Sequence, residues 1–430
     1  MKKKRKTLIE CSEQLRRRKK RKALTGCPEI GDDIIFEEIL PRLPIKALCR
    51  FKSVCKKWFN LLTHDPIFPK HHSQKYPIGT TNPTTFFSHH YLNGVFFFFD
   101  SQFKWSTPIS LVRCPVDMVD MVMGSANGLI YGECSNSIRL FIYNPITKHT
   151  VYVPYPRYSL RFALVCDPFN PSLGFTIVSP VSIREHNDGF ETLQFKVYSS
   201  KTGEWRVSKN ASEFRAPGCR LSRDFFAVYT GENKVYWSLI THILWFDIEK
   251  DVAGLVRCPK HRNFVRPDLQ LFFTEIGVCE DQLSFSRMTK EGDLEIWLLR
   301  EKNNEFEWVK KHTVGLQRIV EENWDMMSRF YNSILKKRLN IKKGMKVGFK
   351  KLKKGMKVTK ENAAEALTHF HCVEPLPYSG GEVLWFSFRN ATRSFCYIFS
   401  FNIKTLELKF IGKIKPPYYQ FVPTLLPCPT

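Results

Sequence analysis

The chain has 430 residues, 43% hydrophobic and 25% charged, which excludes wholesale disorder and leaves room for two or three domains, or one small module beside a large one. Aromatic residues reach 14%, with 36 Phe, a bias towards strands rather than long helical bundles. The net charge of +25 is confined to two tracts: residues 1–22 carry twelve Lys/Arg and two Glu, and residues 336–360 carry twelve Lys/Arg and no acid. The other 383 residues hold 42 basic and 39 acidic side chains, which excludes a folded body that is basic throughout.

Residues 1–26 read as a disordered basic tail. Lys2, Lys3, Lys4, Arg5 and Lys6 form one cluster, and Arg16, Arg17, Arg18, Lys19, Lys20, Arg21 and Lys22 form a second, nine residues later. The pair resembles a bipartite nuclear-import signal, and a plain solvated tail fits about as well. No apolar stretch follows, so the segment is not a secretory signal, and no apolar run approaches the ~18 residues of a membrane helix. The expected setting is the nucleus and/or cytoplasm, with no secretion and no membrane. Thirteen Cys without a single C-x-x-C pair predict neither a disulfide framework nor a zinc module.

Helical periodicity occupies residues 27–68. Phe36, Ile39, Leu40 and Leu43 fall at i, i+3, i+4 and i+7, with Glu37, Glu38 and Arg42 turned away. Asp32 and Asp33 suit a helix N-terminus, and Pro41 predicts that the ladder weakens near Leu40. Pro44 suits the first turn of a second helix carrying Leu48, Phe51 and Cys55, and a third helix carries Trp58, Leu61 and Leu62. Three helices in about forty residues bury too little to stand alone, so their apolar faces require another domain or another protein.

Residues 28–58, PEIGDDIIFEEILPRLPIKALCRFKSVCKKW, resemble an F-box of the plant type, and the match continues to Phe68. The resemblance implies a three-helix module that binds a Skp-type adaptor and, through it, cullin and RING subunits. The implied adaptor-binding positions are Pro28, Ile30, Ile39, Leu40, Leu43, Pro44, Leu48, Phe51, Val54, Cys55 and Trp58. Cys27 departs from the Leu usual in the family, which implies a modest loss of apolar contact.

Residues 69–93, with several Pro and the pairs His71/His72 and His89/His90, read as a polar linker with solvated histidines. From residue 94 to 414 short strands alternate with turns. Five segments share a strand–turn–strand form, at 140–153, 195–207, 243–249, 294–309 and 397–410, and further strands precede four of them at 128–131, 234–237, 282–285 and 382–385. Four units start about 50 residues apart and the fifth at double that interval, a repeat that predicts a β-propeller, with six or seven blades expected. The 336–360 tract reads as a basic insert, preceded by helical spacing at Ile319, Trp324, Met327 and Phe330, and residues 415–430 as a tail.

Gly124 to Leu129 with Tyr143, Asn144 and Pro145, Asp167 with Pro168, Val197 and Tyr198 with Trp205, and Glu295 to Trp297 with Trp308 resemble the F-box-associated, kelch-like region of plant F-box proteins. The fold class expected is therefore α+β: a small helical F-box followed by an all-β propeller. Nucleophile elbows, phosphate loops, dinucleotide fingerprints and zincin motifs are missing, and His369, His371 and Cys372 alternate along a strand. No catalytic residue, metal or cofactor is expected. The implied role is a non-catalytic substrate receptor of a ubiquitin ligase acting on an unknown protein. The competing reading is a nuclear scaffold or nucleic-acid-associated protein acting through the basic tracts, with nucleic acid the less favoured partner.

Overall fold

The computed structural model describes residues 30–65, 67–75, 85–90, 95–100, 110–113, 119–134, 139–154, 162–166, 174–211, 213–217, 227–231, 233–239, 241–259, 274–289, 291–303, 305–330, 360, 373–389, 396–414, 418–421 and 428. The basic tail, nearly all of the basic insert, and His369, His371 and Cys372 lie outside them. The chain divides into two units, Met1–Tyr76 and Pro77–Thr430.

In the first unit, the segment Ile34–Ile39 winds as a π-helical turn rather than a regular α-helix, and a 3-10 turn follows at Leu40–Arg42. Pro41 offers no N–H, so the ladder changes register around it: Leu40 N–H reaches back to Ile35 O and Leu43 N–H to Leu40 O. Pro44 caps the helix Ile45–Phe51, its carbonyl accepting from Ala47 and Leu48. Lys56–His64 forms the next helix. Asp65 then receives the N–H groups of Ile67 and Phe68 at 2.7 and 3.2 Å and starts a further helix, Phe68–Lys75.

That last helix corrects the linker expected over 69–93. His72, expected in a solvated loop, is buried, with Nε2 2.9 Å from Leu43 O. Burial pushes its imidazole below the ordinary histidine value, although the Leu43 carbonyl opposes the shift. Few apolar residues mark 69–75, so hydrophobic periodicity could not reveal a helix held by an Asp cap and one buried imidazole.

Among its described residues, the second unit is all-β apart from the helix Leu316–Glu322 and the helical residues 324–330. Its first sheet contains β1 (Thr85–His90), β2 (Val95–Asp100) and β3 (Ser110–Arg113). The second is β4 (Val119–Ala126), β5 (Leu129–Cys134), β6 (Arg139–Asn144) and β7 (His149–Pro154). The third is β8 (Ala163–Cys166), β9 (Phe175–Glu185), β10 (Phe190–Ser199) and β11 (Glu204–Val207), with β12 (Phe214–Pro217) added along the start of β10. The fourth is β13 (Ala227–Tyr229), β14 (Lys234–Ser238), β15 (His242–Asp247) and β16 (Val252–Arg257). The fifth is β17 (Thr274–Cys279), β18 (Gln282–Met288), β19 (Asp293–Lys302) and β20 (Glu305–Gly315). The sixth is β21 (Val373–Pro375), β22 (Val383–Arg389), β23 (Cys396–Asn402) and β24 (Leu408–Ile414).

Five of these sheets are built from consecutive strands, all antiparallel. The first is completed by β25 (Tyr418–Phe421), which pairs Phe87 with Tyr419 and so joins the chain's end to its beginning. Residues 415–430 are thus not simply a tail: β25 lies there, and Cys428 is buried in the cluster shared by the second and third sheets. Strand β1 likewise lies in the expected linker and carries His89 and His90. Neighbouring inner strands touch, with β25 against β4, β8 against β13, β13 against β17 and β17 against β21. This is the arrangement of a β-propeller.

The apolar clusters sit between successive sheets. Phe195 of the third stacks on Phe246 of the fourth at 4.7 Å and 16°, beside the fully buried Trp237. Leu294 and Ile296 of the fifth sheet meet Leu384, Phe386 and Phe399 of the sixth, together with Leu316, Ile319 and Met327 of the helical excursion. Two tryptophans repeat one device: Trp205 Nε1 donates to Pro154 O at 2.9 Å, and Trp308 Nε1 to Arg257 O at 2.8 Å. Each Trp lies on the fourth strand of one sheet, and its acceptor ends the fourth strand of the sheet before. The turns after the third strands repeat as well, because Asn144, Asp247 and Asn402 each accept two N–H groups from residues two and three positions on.

Candidate functional site

The first unit separates ten of the eleven candidate positions into three sets. Leu40 and Leu48 are among its most buried side chains, joined by Ile45, Leu62 and Phe68, so they help hold the unit together. Leu43, Phe51 and Trp58 are half-buried. The Trp58 ring receives Phe51 edge-on at 5.3 Å and Phe36 at 6.4 Å, which fixes the second and third helices against the π turn. Ile30, Ile39, Pro44, Val54 and Cys55 are exposed, and Pro28 lies outside the described residues.

Three exposed residues escaped the sequence pattern. Ile34, Phe59 and Ile67 are as open as Ile30, Ile39 and Val54, with Val54 at 58% and Ile67 at 71%. The wider π turn changes which side chains share a face, exposing Ile39 while Leu40 turns inward. An α-helical stripe had assigned both to one side. Six large apolar side chains left open among the described residues of so small a unit are the observation that points to a covering partner.

Polar contacts hold the unit around them. Lys57 pairs with Asp32 at 2.5 Å and lies 4.6 Å above the Phe36 ring. Lys75 donates to Glu37 O at 2.6 Å and to Glu38 Oε1 at 2.7 Å, and Arg42 joins Glu38 at 2.9 Å. The Lys75 hydrogen bond holds the Glu38 carboxyl below its ordinary value. Among the described residues, no three His, Cys, Asp or Glu side chains are grouped to hold a metal, and no helix is long and apolar enough to cross a membrane.

The model of the F-box domain matches residues 32–70, and that of the beta-propeller of F-box protein At3g26010-like proteins matches residues 105–323, half of the chain. The chain is an F-box protein with a C-terminal β-propeller. F-box protein At5g07610 of Arabidopsis thaliana is 23% identical over 323 residues, covering 70% of this chain and 74% of that protein. F-box protein At3g26010 of the same plant is 22% identical over 315 residues, covering 70% and 72%. F-box protein CPR1, also from Arabidopsis thaliana, is 24% identical over 336 residues, covering 70% and 77%. The two-part organisation of the F-box protein thus agrees with its matched regions: the short helical unit contains the F-box match, and the sheets contain the propeller match.

Proposed function

We propose that this F-box protein is the non-catalytic substrate-recognition subunit of an SCF-type ubiquitin ligase. Its F-box would cover Ile39, Val54 and their exposed apolar neighbours with a Skp-type adaptor, which carries the cullin and RING subunits, while the propeller holds the target. The observation that carries the reading is an F-box with open apolar side chains in the same chain as a propeller of the F-box-protein type. Chemistry belongs to other subunits on this view. The receptor contributes proximity, raising the effective concentration of target lysines near the loaded conjugating enzyme. Action in the nucleus and/or cytoplasm is part of the proposal, with the basic tail as the import candidate.

The test is co-purification from plant cells of the tagged full chain with adaptor and cullin. Ile39→Asp with Val54→Asp places two charges on exposed positions, so the propeller's thermal unfolding should not change while adaptor and cullin recovery falls below a tenth. Undiminished recovery by a folded double variant would refute this interface, and nucleic acid recovered at low salt in place of cullin would refute the receptor role.

A further inference from the structure

In the third sheet the hairpin of β9 and β10 reaches beyond the strand beside it. These two strands run for 11 and 10 residues, whereas β8 runs for 4. β8 pairs with β9 only from Phe175 to Val178, so the last part of β9 stands clear of it, and β12 lines the start of β10. Side chains along β10 alternate between two faces. Leu193, Phe195 and Val197 enter the cluster shared with the fourth sheet. Tyr198, on the other face, enters the cluster shared with the second sheet, together with Ile177 of β9. Further along that second face Gln194 and Thr192 are half-buried, and Phe190 is 38% exposed. Ile183 of β9, at the same end, is 46% exposed. The second sheet thus covers one end of this face and leaves the hairpin end open.

Register places positive charge on the open end. Thr192 stands opposite Arg184 of β9 on one side and Arg215 of β12 on the other, a row across the three strands. Directly opposed residues share a face, so both arginines rise from the face that carries Phe190, about 10 Å apart at the backbone. Arg215 Nη2 donates to Asp188, the guanidinium lies 4.8 Å from the Phe190 ring, and the side chain is still 59% exposed. Asp188 is itself fixed, its Oδ1 accepting Phe190 N–H at 3.1 Å. The Thr192 hydroxyl is engaged by His186 Nε2 at 2.8 Å. Arg184 is exposed and pairs with no acid among the described residues. Glu185 is opposed to Glu191, one position along, and therefore lies on the other face. The open end holds one free cation beside a second that is held in place yet still reaches solvent.

We infer that this three-stranded platform docks an acidic segment of the target protein, whose carboxylates meet Arg184 and Arg215. A guanidinium fork matches a carboxylate with two parallel N–H donors. Phe190 and Asp188 hold Arg215 before a partner arrives, which reduces the side-chain freedom lost on binding. Acids on one side of an extended peptide recur about every 7 Å, so two of them fit a row about 10 Å wide. A nucleic acid is the poorer match, because the row offers only Arg184 and Arg215 to a chain of phosphates, with Asp188 beside them. The assignment of the acidic segment to a target rests on the receptor reading above; the charge and exposure of the platform do not.

Fluorescence anisotropy on the purified full chain at low ionic strength tests it, with a labelled peptide of alternating glutamate and serine as probe and one of alternating glutamine and serine as comparison. The glutamate peptide binds and the glutamine peptide does not. The basic tracts attract acid as well, so substitutions locate the binding. Arg184→Gln and Arg215→Gln each weaken the glutamate peptide about threefold to fivefold, and together about tenfold or more, as expected for exposed charge pairs. Lys201→Gln with Lys409→Gln removes the same charge from other exposed positions and leaves binding unchanged. Equal binding of the two peptides, unchanged binding by the double arginine variant, or an equal loss in the lysine control overturns the platform. A labelled oligothymidine of the same length that binds more tightly than the peptide, and is lost in the arginine variants, overturns the acidic segment as occupant. A chain that recruits adaptor while its arginine variants bind the peptide like wild type refutes the platform alone. One whose binding follows the two arginines but that recruits no adaptor refutes the receptor role alone.

Discussion

The carboxylate of Glu295 is the most demanding electrostatic feature among the described residues of the propeller. It accepts from Arg287 at 2.7 and 2.6 Å, from Lys310 at 2.7 Å and from Trp297 at 3.2 Å, and both Arg287 and Glu295 are buried. In Glu295→Gln the shape survives and the charge goes. Lys310 is 43% exposed and can turn to water. Arg287 cannot: it keeps the neutral glutamine oxygen, Pro259 O at 2.8 Å and the Trp297 ring at 5.6 Å, but no counter-charge. One stranded buried cation sets the expected cost at about 3 kcal/mol, the lower end of the range for breaking a buried pair. Arg287→Met with Glu295→Met removes both charges and should cost less than the single change, about 1 kcal/mol.

Urea unfolding followed by far-UV circular dichroism and by tryptophan fluorescence gives the comparison, provided both probes report one transition. Burial alone pushes the Glu295 carboxyl up, but hydrogen bonds from Lys310 and Arg287, the Arg287 charge and Trp297 together hold it below the ordinary 4.5. A depressed folded value means that its stabilisation is complete above the ordinary value and disappears as pH falls through the folded one. The gap between wild type and Glu295→Gln should therefore close in acid. A single-variant cost under about 1 kcal/mol, a double variant worse than the single, or a gap that widens in acid would refute the buried-charge argument.

Trp205→Phe and Trp308→Phe each remove one hydrogen bond between neighbouring sheets and should each cost about 1 kcal/mol in urea, with additive effects because they share no partner. Ending the chain after residue 417 removes β25, uncovers the β1 edge and deletes the Tyr419 hydroxyl bond to Val122 O at 2.6 Å. That truncated protein should aggregate on heating instead of melting cooperatively, and a soluble product with the full-length melting temperature would show that closure is dispensable.

Sequence periodicity located the outer parts of the sheets much better than the inner ones, for a steric reason. Each expected strand–turn–strand unit falls on a third strand, β6, β10, β15, β19 or β23, and most continue into the fourth. These strands carry large apolar side chains such as Phe141, Phe195, Trp245, Trp297 and Phe399, and the turns after three of them carry Asn or Asp acceptors at fixed positions. The inner strands β4, β8, β13, β17 and β21 have no comparable signature. Three of them run only three or four residues, and close approach at the centre demands small side chains. A Cβ on Gly277 of β17 would meet Pro377 at 2.9 Å and Tyr378 O at 3.0 Å, and one on Gly124 of β4 would enter the Tyr131 ring. Ring closure by β25 was hidden for another reason: its partner β1 lies more than three hundred residues earlier, beyond the reach of any local pattern.

The F-box was legible by residue identity but not by exposure. Order and spacing marked Leu40, Leu48 and Val54 alike, yet the first two are buried within the unit and only the third is open. For Leu40 against Ile39 the difference arises from the π turn before Pro41, where a longer hydrogen-bonded loop redistributes side chains that an α-helical count assigns to one face. Leu48, by contrast, lies within the helix Ile45–Phe51, and Val54 in the turn after it. A motif position can therefore be required for the module to fold or for it to be recognised, and one pattern records both. In this chain, charge at Leu48 should destroy the first unit before any partner is met, whereas charge at Val54 should leave the unit folded and act only where a partner covers it.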